Sequence, residues 1–148
     1  MPPTVGRDKP LQITLRTVCI DDAKLLHHLL KDRPNYANIS HTKMPEWDDH
    51  CDFIKSDPYD SWYIIEGLSL GSRIDVGAIY LTRDNEIGVG VLRKYWGKGY
   101  GRSAIKEIMQ TCQRDRYYAN VSPLNMGSQK LFKKMGFEIL QYTLKYDK

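Results

Sequence analysis

Cysteine is scarce in this chain: Cys19, Cys51 and Cys112 are the whole complement. Their number is odd and no two share a metal-ligand spacing, so a disulfide framework and a zinc finger are both excluded. The three read as thiols of a reducing compartment. Histidine is equally sparse, with four residues and no paired-ligand motif, and no metal is expected. No apolar run approaches a bilayer crossing, and the opening Met-Pro-Pro-Thr-Val-Gly-Arg-Asp-Lys-Pro lacks the apolar core of a secretory signal. A cytoplasmic protein without membrane association is the expectation. Repeats, linkers and low-complexity tracts are missing too. Neither sign of charge dominates: 22 Lys and Arg against 18 Asp and Glu leave +4, with a pI near 8.9. That excess suits a polyanionic small ligand and is too small and scattered for nucleic acid. The Tyr117-Tyr118 pair and Lys130, Lys133 and Lys134 are the only hints of such a surface; they read as sheet packing and a solvated helix face.

What is present suffices for one core. The 148 residues, 41% hydrophobic and 27% charged, make a single domain over 11–148 behind a loose arm at 1–10 that carries three prolines. Leu11, Ile13, Leu15 and Thr17 alternate as a first strand. Asp21 or Asp22 then caps a helix with Leu25, Leu26, Leu29 and Leu30 on its apolar face, ending before Pro34. His27 and His28 lie beside that stripe without an acidic partner, which gives them a half-exposed structural role. A polar loop at 35–43 leads to a short helix begun by Pro45, with Trp47, Cys51 and Ile54 facing inward and His50 and Phe53 flanking them. Two strands, 61–66 and 74–82, turn around Gly71-Ser72, and Asp84-Asn85 turns the second into a third. Strand 116–121 has no short route back and is expected to run parallel. Asn125 caps a last helix with Ser128 in its first turn and Gly136 at its close. Residues 137–146 read as a final strand.

The informative stretch is 86–112. Ile87, Val89 and Val91 alternate with Glu86, Gly88 and Gly90 as a strand. Ala104, Ile105, Ile108, Met109 and Cys112 then recur at helical spacing. Between them stands Trp96-Gly97-Lys98-Gly99-Tyr100-Gly101-Arg102. A glycine-rich turn from strand into helix exposes unpaired N–H groups at the positive end of the helix, a ready site for phosphate oxygens. Lys98 is followed by glycine rather than Ser or Thr, which excludes a nucleotide-triphosphate loop. Residues 99–104 fit G-x-G-x-x-A, but strand 116–121 ends without the carboxylate that a dinucleotide's ribose needs.

Val91-Leu92-Arg93-Lys94-Tyr95-Trp96-Gly97-Lys98-Gly99-Tyr100-Gly101 resembles the pyrophosphate motif Q/R-x-x-G-x-G/A of the GNAT acetyltransferase superfamily, with Trp96 where Gln or Arg is commonest. Its wording is similar to the branch that acetylates N-termini of ribosomal proteins. Asn125 to Phe137 is similar to the superfamily's N-x-x-S-x-x-L-[YF]-x-x-x-G-F helix. The resemblance runs clearly from Ile64 to Phe137. It implies an α/β (α+β) fold: a mixed, mostly antiparallel twisted sheet of six or seven strands with about four helices. The cofactor cleft would open between the central strand 86–92 and the parallel strand 116–121. Since the fold normally ends in a two-stranded hairpin, a chain with one such strand leaves the sheet edge or a monomer-or-homodimer state open.

The resemblance further implies acetyl transfer from acetyl-CoA to a small-molecule or peptide amine by direct attack. Backbone near Val89 and Val91 would hold the pantetheine arm. Trp96, Gly97, Lys98, Gly99, Tyr100, Gly101 and Arg102 would surround the pyrophosphate, with Asn125 on the arm and Ser128 near the thioester sulfur. Gly88 and Gly90 would keep one face open for cofactor or acceptor, or relieve crowding. Between the first two strands, Asp48, Asp49, Asp52 and Asp57 would attract a cationic amine or simply form a solvated helix face.

Two groups common in the superfamily are replaced: Phe132 stands for the tyrosine that protonates the leaving thiolate, and Asn120 for a glutamate base. With a thiol pKa near 8.5, the missing acid is worth only ~2 kcal/mol at pH 7, which Ser128 or water can supply. Deprotonating a lysine-like amine costs ~4.6 kcal/mol, against ~1 for an α-amine. The acceptor is therefore a low-pKa amine, such as an N-terminal amine or amino sugar, or the base comes from elsewhere. Glu86 is the first candidate, through a water, followed by His50 and His41. The competing reading is a protein that binds CoA or acyl-CoA with little or no transfer.

Overall fold

Alternating apolar residues commit four segments to strands, and paired turns fix their order. The computed structural model describes residues 11–34 and 43–148, so the N-terminal arm and His41 lie outside the described residues. Strands β1 (Thr14–Thr17), β2 (Ser61–Ser69), β3 (Ser72–Leu81) and β4 (Ile87–Val91) form one antiparallel sheet in sequential order. The β2–β3 turn places Leu70 and Gly71 at φ 51° and 79°, the paired left-handed geometry that suits a two-residue hairpin. Between β3 and β4, Asn85 takes φ 67° while the Thr82 hydroxyl accepts from the amides of Asp84 and Glu86. The helices are α1 (Ala23–Asp32), α2 (Trp47–Lys55), α3 (Tyr100–Thr111) and α4 (Met126–Lys134).

Strand parity sorts side chains to the two faces of the sheet. Ile65, Ile79, Leu81 and Ile87 pack with Ala104, Ile105 and Ile108 of α3 and Phe132 of α4. On the opposite face Ile64 and Ala78 pack with Ala23 and Leu26 of α1 and Ile54 of α2. The even residues of β4 thus share a face with α1 and α2, and the odd ones face α3. Gly77 is an invasion point: a Cβ there would stand 2.1 Å from the Gly90 carbonyl oxygen.

One charged group is buried into this frame. Asp22 accepts from both Nη atoms of Arg16 at 3.1 and 3.0 Å and from the Cys19 amide at 2.9 Å. Burial alone would raise its pKa, but the Arg16 hydrogen bonds and charge together with the Cys19 amide outweigh burial and hold it below the ordinary carboxylate value. The pair's stabilisation is therefore complete above the unfolded pKa near 3.9 and fades as pH falls toward the folded one. Asp22→Asn is expected to cost about 2 kcal/mol of unfolding free energy at pH 7. Urea titrations at pH 7 and pH 3 should show that gap shrinking in acid.

The sheet is smaller than the sequence reading anticipates. Among the described residues it has four strands rather than six or seven. The expected parallel strand 116–121 is reduced to one bridge, Glu86 with Tyr118. Tyr117 helps stop it, because its hydroxyl is tied back beneath α3, donating to the Cys112 carbonyl at 2.7 Å and accepting from the Arg114 amide at 2.9 Å. Residues 119–121 therefore offer no ladder for a further strand. The segment after Phe137 forms none, and Leu140, Tyr142, Leu144 and Tyr146 are exposed. Inward-facing Trp47 is a second correction: it is 44% exposed, while His50 takes the buried place at 3%. A neighbouring helical position turned inward because His50 can satisfy its ring on the Ala23 carbonyl, Nε2 to oxygen 2.9 Å.

Candidate active site

The loop after β4 is fastened before it reaches its glycines. A 3₁₀ turn over Arg93–Tyr95 follows the strand, and the Trp96 indole donates to the Val91 carbonyl at 2.7 Å. Arg93 binds the end of α1 twice, amide to Asp32 Oδ2 at 2.5 Å and Nη2 to the Asp32 carbonyl at 2.8 Å. Its guanidinium lies 5.4 Å above the Trp96 ring. The Trp96 indole thus spends its one donor on the loop itself.

Gly97 and Gly99 sit at φ 75° and 93°, and Gly99 is the N-cap of α3. The first intrahelical bond of α3 runs from the Ser103 amide to the Gly99 carbonyl at 3.1 Å. The amides of Tyr100, Gly101 and Arg102 precede it and have no acceptor within the helix. Gly101 serves a different end: its Cβ position lies 3.2 Å from Leu131, where α3 packs on α4. Tyr100 contributes only backbone. Its ring is buried in the core against Gly67, whose Cβ would stand 2.6 Å from it. Lys98 is exposed and Arg102 half-buried, and neither joins an ion pair among the described residues.

The open edge of β4 follows from hydrogen-bond alternation. Glu86 and Leu92 bond toward β3, through Thr82 and Val76, so the even residues spend their amides and carbonyls there. The odd residues point the other way. Ile87 donates to the Tyr118 carbonyl at 2.7 Å and the Tyr118 amide to the Asn85 carbonyl at 2.8 Å, which together make up the single parallel bridge. Beyond it the strands part, and the amides of Val89 and Val91 and the carbonyl of Val89 face the gap. These groups can bind an extended chain of amides, with the helix amides at its phosphate end. The residues present fit the pantetheine and diphosphate of coenzyme A.

At the closed end of the gap, Asn120 Nδ2 donates to Glu86 Oε1 at 3.0 Å. Asn125 caps α4 through its Oδ1, which accepts from the Ser128 amide at 3.1 Å and leaves the Asn125 Nδ2 hydrogens for a ligand. Ser128 stands in the first turn of α4. Phe132 lies in the core, 5.0 Å from Phe137 between ring centres. His50 packs between α1 and α2 through its bond to Ala23, which removes it as a base for this gap. Asp48, Asp49 and Asp52 are exposed on α2, and exposed Asp57 takes φ 53° just after it.

Sequence reasoning missed an aromatic pair. Tyr80 of β3 stands opposite Gly88, and a Cβ on Gly88 would meet its Cζ at 2.0 Å. Tyr59, from the loop before β2, stacks on Tyr80 with centroids 3.9 Å apart and an interplanar angle of 2°. Burial raises both phenols above the ordinary tyrosine value, helped at Tyr59 by the neighbouring Tyr80 and at Tyr80 by the charge of Glu86, which together outweigh the lowering by Arg33 and, at Tyr80, by the hydrogen bond with Tyr59. The signal was available in strand parity, which aligns Tyr80 with the glycine face of β4.

A sequence family described as acetyltransferase (GNAT) domain matches residues 12–138. No curated protein matches the chain. Several solved structures share its fold. One is a domain from Methanocaldococcus jannaschii DSM 2661, 21% identical, covering 89% of this chain and 92% of its own at a TM-score of 0.79. Mutant forms of the spermidine/spermine N-acetyltransferase SpeG from Vibrio cholerae are 19% identical over 86% of this chain and 80% of theirs, TM-score 0.68. The protein yncA from Salmonella typhimurium, solved with its cofactor acetyl-CoA, is 16% identical over 85% of this chain and 79% of its own, TM-score 0.64. Among the described residues, no helix is long and apolar enough to cross a membrane.

Proposed function

This chain belongs to the acetyltransferase (GNAT) family, whose donor is acetyl-CoA, and on that premise we propose that it acetylates a primary amine by direct attack within a ternary complex. The acceptor in this reading is an N-terminal α-amine, an amino sugar or another small amine, and the enzyme works in the cytoplasm as a monomer or homodimer. The observation that carries it is the alignment of the open amides of Val89 and Val91 with the free first amides of α3. Acetyl-CoA supplies the activated acyl group; the chain's own residues bind it, orient it and handle protons. Lys98 and Arg102 add charge at the diphosphate, and Asn125 Nδ2 holds the arm.

Glu86 takes the amine's proton through a water, with Asn120 fixing its carboxylate by the 3.0 Å bond. The Ser128 hydroxyl gives a proton to the departing sulfur. Glu86→Gln is expected to lower kcat at least tenfold and to remove the acidic limb of the pH–rate profile, where rate falls as the carboxylate is protonated, read by free-thiol release. Full activity with an unchanged profile takes Glu86 out of the reaction.

A second reading, a coenzyme A binder without turnover, is favoured by one observation: Phe132 buries an apolar ring where a hydroxyl would assist the thiolate. Thermal stabilisation by coenzyme A with no thiol release across a panel of amines selects it.

A further inference from the structure

We propose that Asp32 is a positioning residue for coenzyme A: from the end of α1 it holds the phosphate-binding loop in shape, so that donor binding and the last turn of α1 are coupled. The inference rests on the coenzyme A reading of that loop and adds to the same site a residue that acts through Arg93. Asp32 stands 61 positions before Arg93 in the chain. Among the described residues it is the only side chain from outside 86–102 that hydrogen-bonds to residues 93–102.

The exchange between the two residues is reciprocal. Asp32 Oδ2 accepts from the Arg93 amide at 2.5 Å, and Arg93 Nη2 donates to the Asp32 carbonyl at 2.8 Å. Each bond satisfies a group that its own element leaves unpaired. Arg93 opens the 3₁₀ turn, so its amide has no acceptor within that turn, and Asp32 ends α1, so its carbonyl has no donor within the helix. A carboxylate at a helix C-terminus opposes the helix dipole, whereas a guanidinium there complements it. Asp32 is thus a poor residue for α1 alone and a good one for the loop. The helix does not need it for attachment, since Ala23, Leu26 and Leu29 already pack against Ile64 and Ala78 of the sheet.

From Arg93 the constraint passes to the glycines through one short turn. The Tyr95 amide donates to the Leu92 carbonyl at 2.8 Å and the Trp96 amide to the Arg93 carbonyl at 3.1 Å. With the guanidinium 5.4 Å above the Trp96 ring, residues 92–96 form one closed piece, and Gly97 follows it directly at φ 75°. The far end of the glycine loop is fixed by α3, whose Ala104, Ile105 and Ile108 are fully buried. Gly97, Lys98 and Gly99 therefore span two posts, the Asp32–Arg93 clasp and α3. Loosening the clasp lets their peptides turn away from an anion while the first amides of α3 stay in place, so binding weakens without vanishing. The coupling is mutual: an anion that fixes the loop also fixes the end of α1.

The test reads coenzyme A affinity by calorimetry and backbone amide exchange by NMR on the whole chain. Asp32→Ala should weaken coenzyme A at least fivefold. Asp32→Asn, whose side-chain oxygen still accepts from the Arg93 amide, should stay within about twofold of the parent. In the parent chain, saturating coenzyme A should slow exchange in the last turn of α1, Leu29 to Asp32, at least threefold. In Asp32→Ala that slowing should disappear while the Tyr100, Gly101 and Arg102 amides remain protected by the ligand. Unchanged affinity in Asp32→Ala overturns the proposal, and so does a last turn of α1 indifferent to coenzyme A in the parent chain. The parent-chain exchange needs no substitution, so it decides even where the alanine variant fails to fold. Binding with an unmoved α1 sinks this proposal alone; a parent chain that does not bind coenzyme A sinks the donor reading and the proposal with it.

Discussion

Replacing Gly99 by valine should cost at least tenfold in coenzyme A affinity, measured by calorimetry, while the chain remains folded. Gly99 holds φ 93° at the N-cap of α3. A β-branched residue is strained there, and states of this kind cost roughly 1–3 kcal/mol. The strain is relieved by rotating the peptides that aim the Tyr100, Gly101 and Arg102 amides, so binding falls by about a factor of ten per 1.4 kcal/mol of lost alignment. Crowding is not the cause, since only Leu11 approaches a Cβ at this site, at 4.0 Å. Gly71 supplies the control: it has φ 79°, open surroundings and a place in the distant β2–β3 hairpin. Gly71→Val should lower stability by a similar amount and leave coenzyme A affinity untouched. Equal losses of affinity in the two variants would show a general folding effect.

Gly77→Val should be the most damaging single change in the sheet. Its Cβ would stand 2.1 Å from the Gly90 carbonyl oxygen and 3.0 Å from the Val91 Cα, both backbone atoms that no rotamer can move. β4 must shift away from β3, breaking the pairing of Gly77 with Val91. Overpacking of this kind costs about 3 kcal/mol, which for a chain of this size lowers Tm by roughly 6–12 °C. Because β4 carries the open amides, coenzyme A binding should fall with it. Gly90→Ala, by contrast, adds a methyl to open space. It should change Tm by about 2 °C or less, since substitutions away from packed features stay within about 0.5 kcal/mol.

The parts of this site that were legible in the sequence are those set by local rules. Positive-φ glycines, a helix start and an Asn cap each need only a few neighbouring residues, and Gly97, Gly99 and Asn125 stand where those rules put them. Strand parity likewise directed attention to Val89 and Val91, since alternation needs no knowledge of the partner strand. What escaped depended on partners distant in sequence. Residues 116–121 have a strand's composition, but the Tyr117 hydroxyl turns back to Cys112 and their pairing with β4 is confined to the bridge at Tyr118. Residues 137–146 alternate like a strand and lack a ladder to join. On α2 the periodicity allowed either Trp47 or His50 to turn inward, and a single carbonyl on α1 settled it. Tyr59 carries no motif at all; it acquires meaning only when β3 brings Tyr80 over Gly88.

Backbone NMR of the chain titrated with coenzyme A tests the central claim most directly. The amide resonances of Val89, Val91, Tyr100, Gly101 and Arg102 should move together and saturate together, while those of the β2–β3 turn around Gly71 stay fixed. Saturable binding that leaves the Val89, Val91 and α3 amides unmoved would contradict the claim.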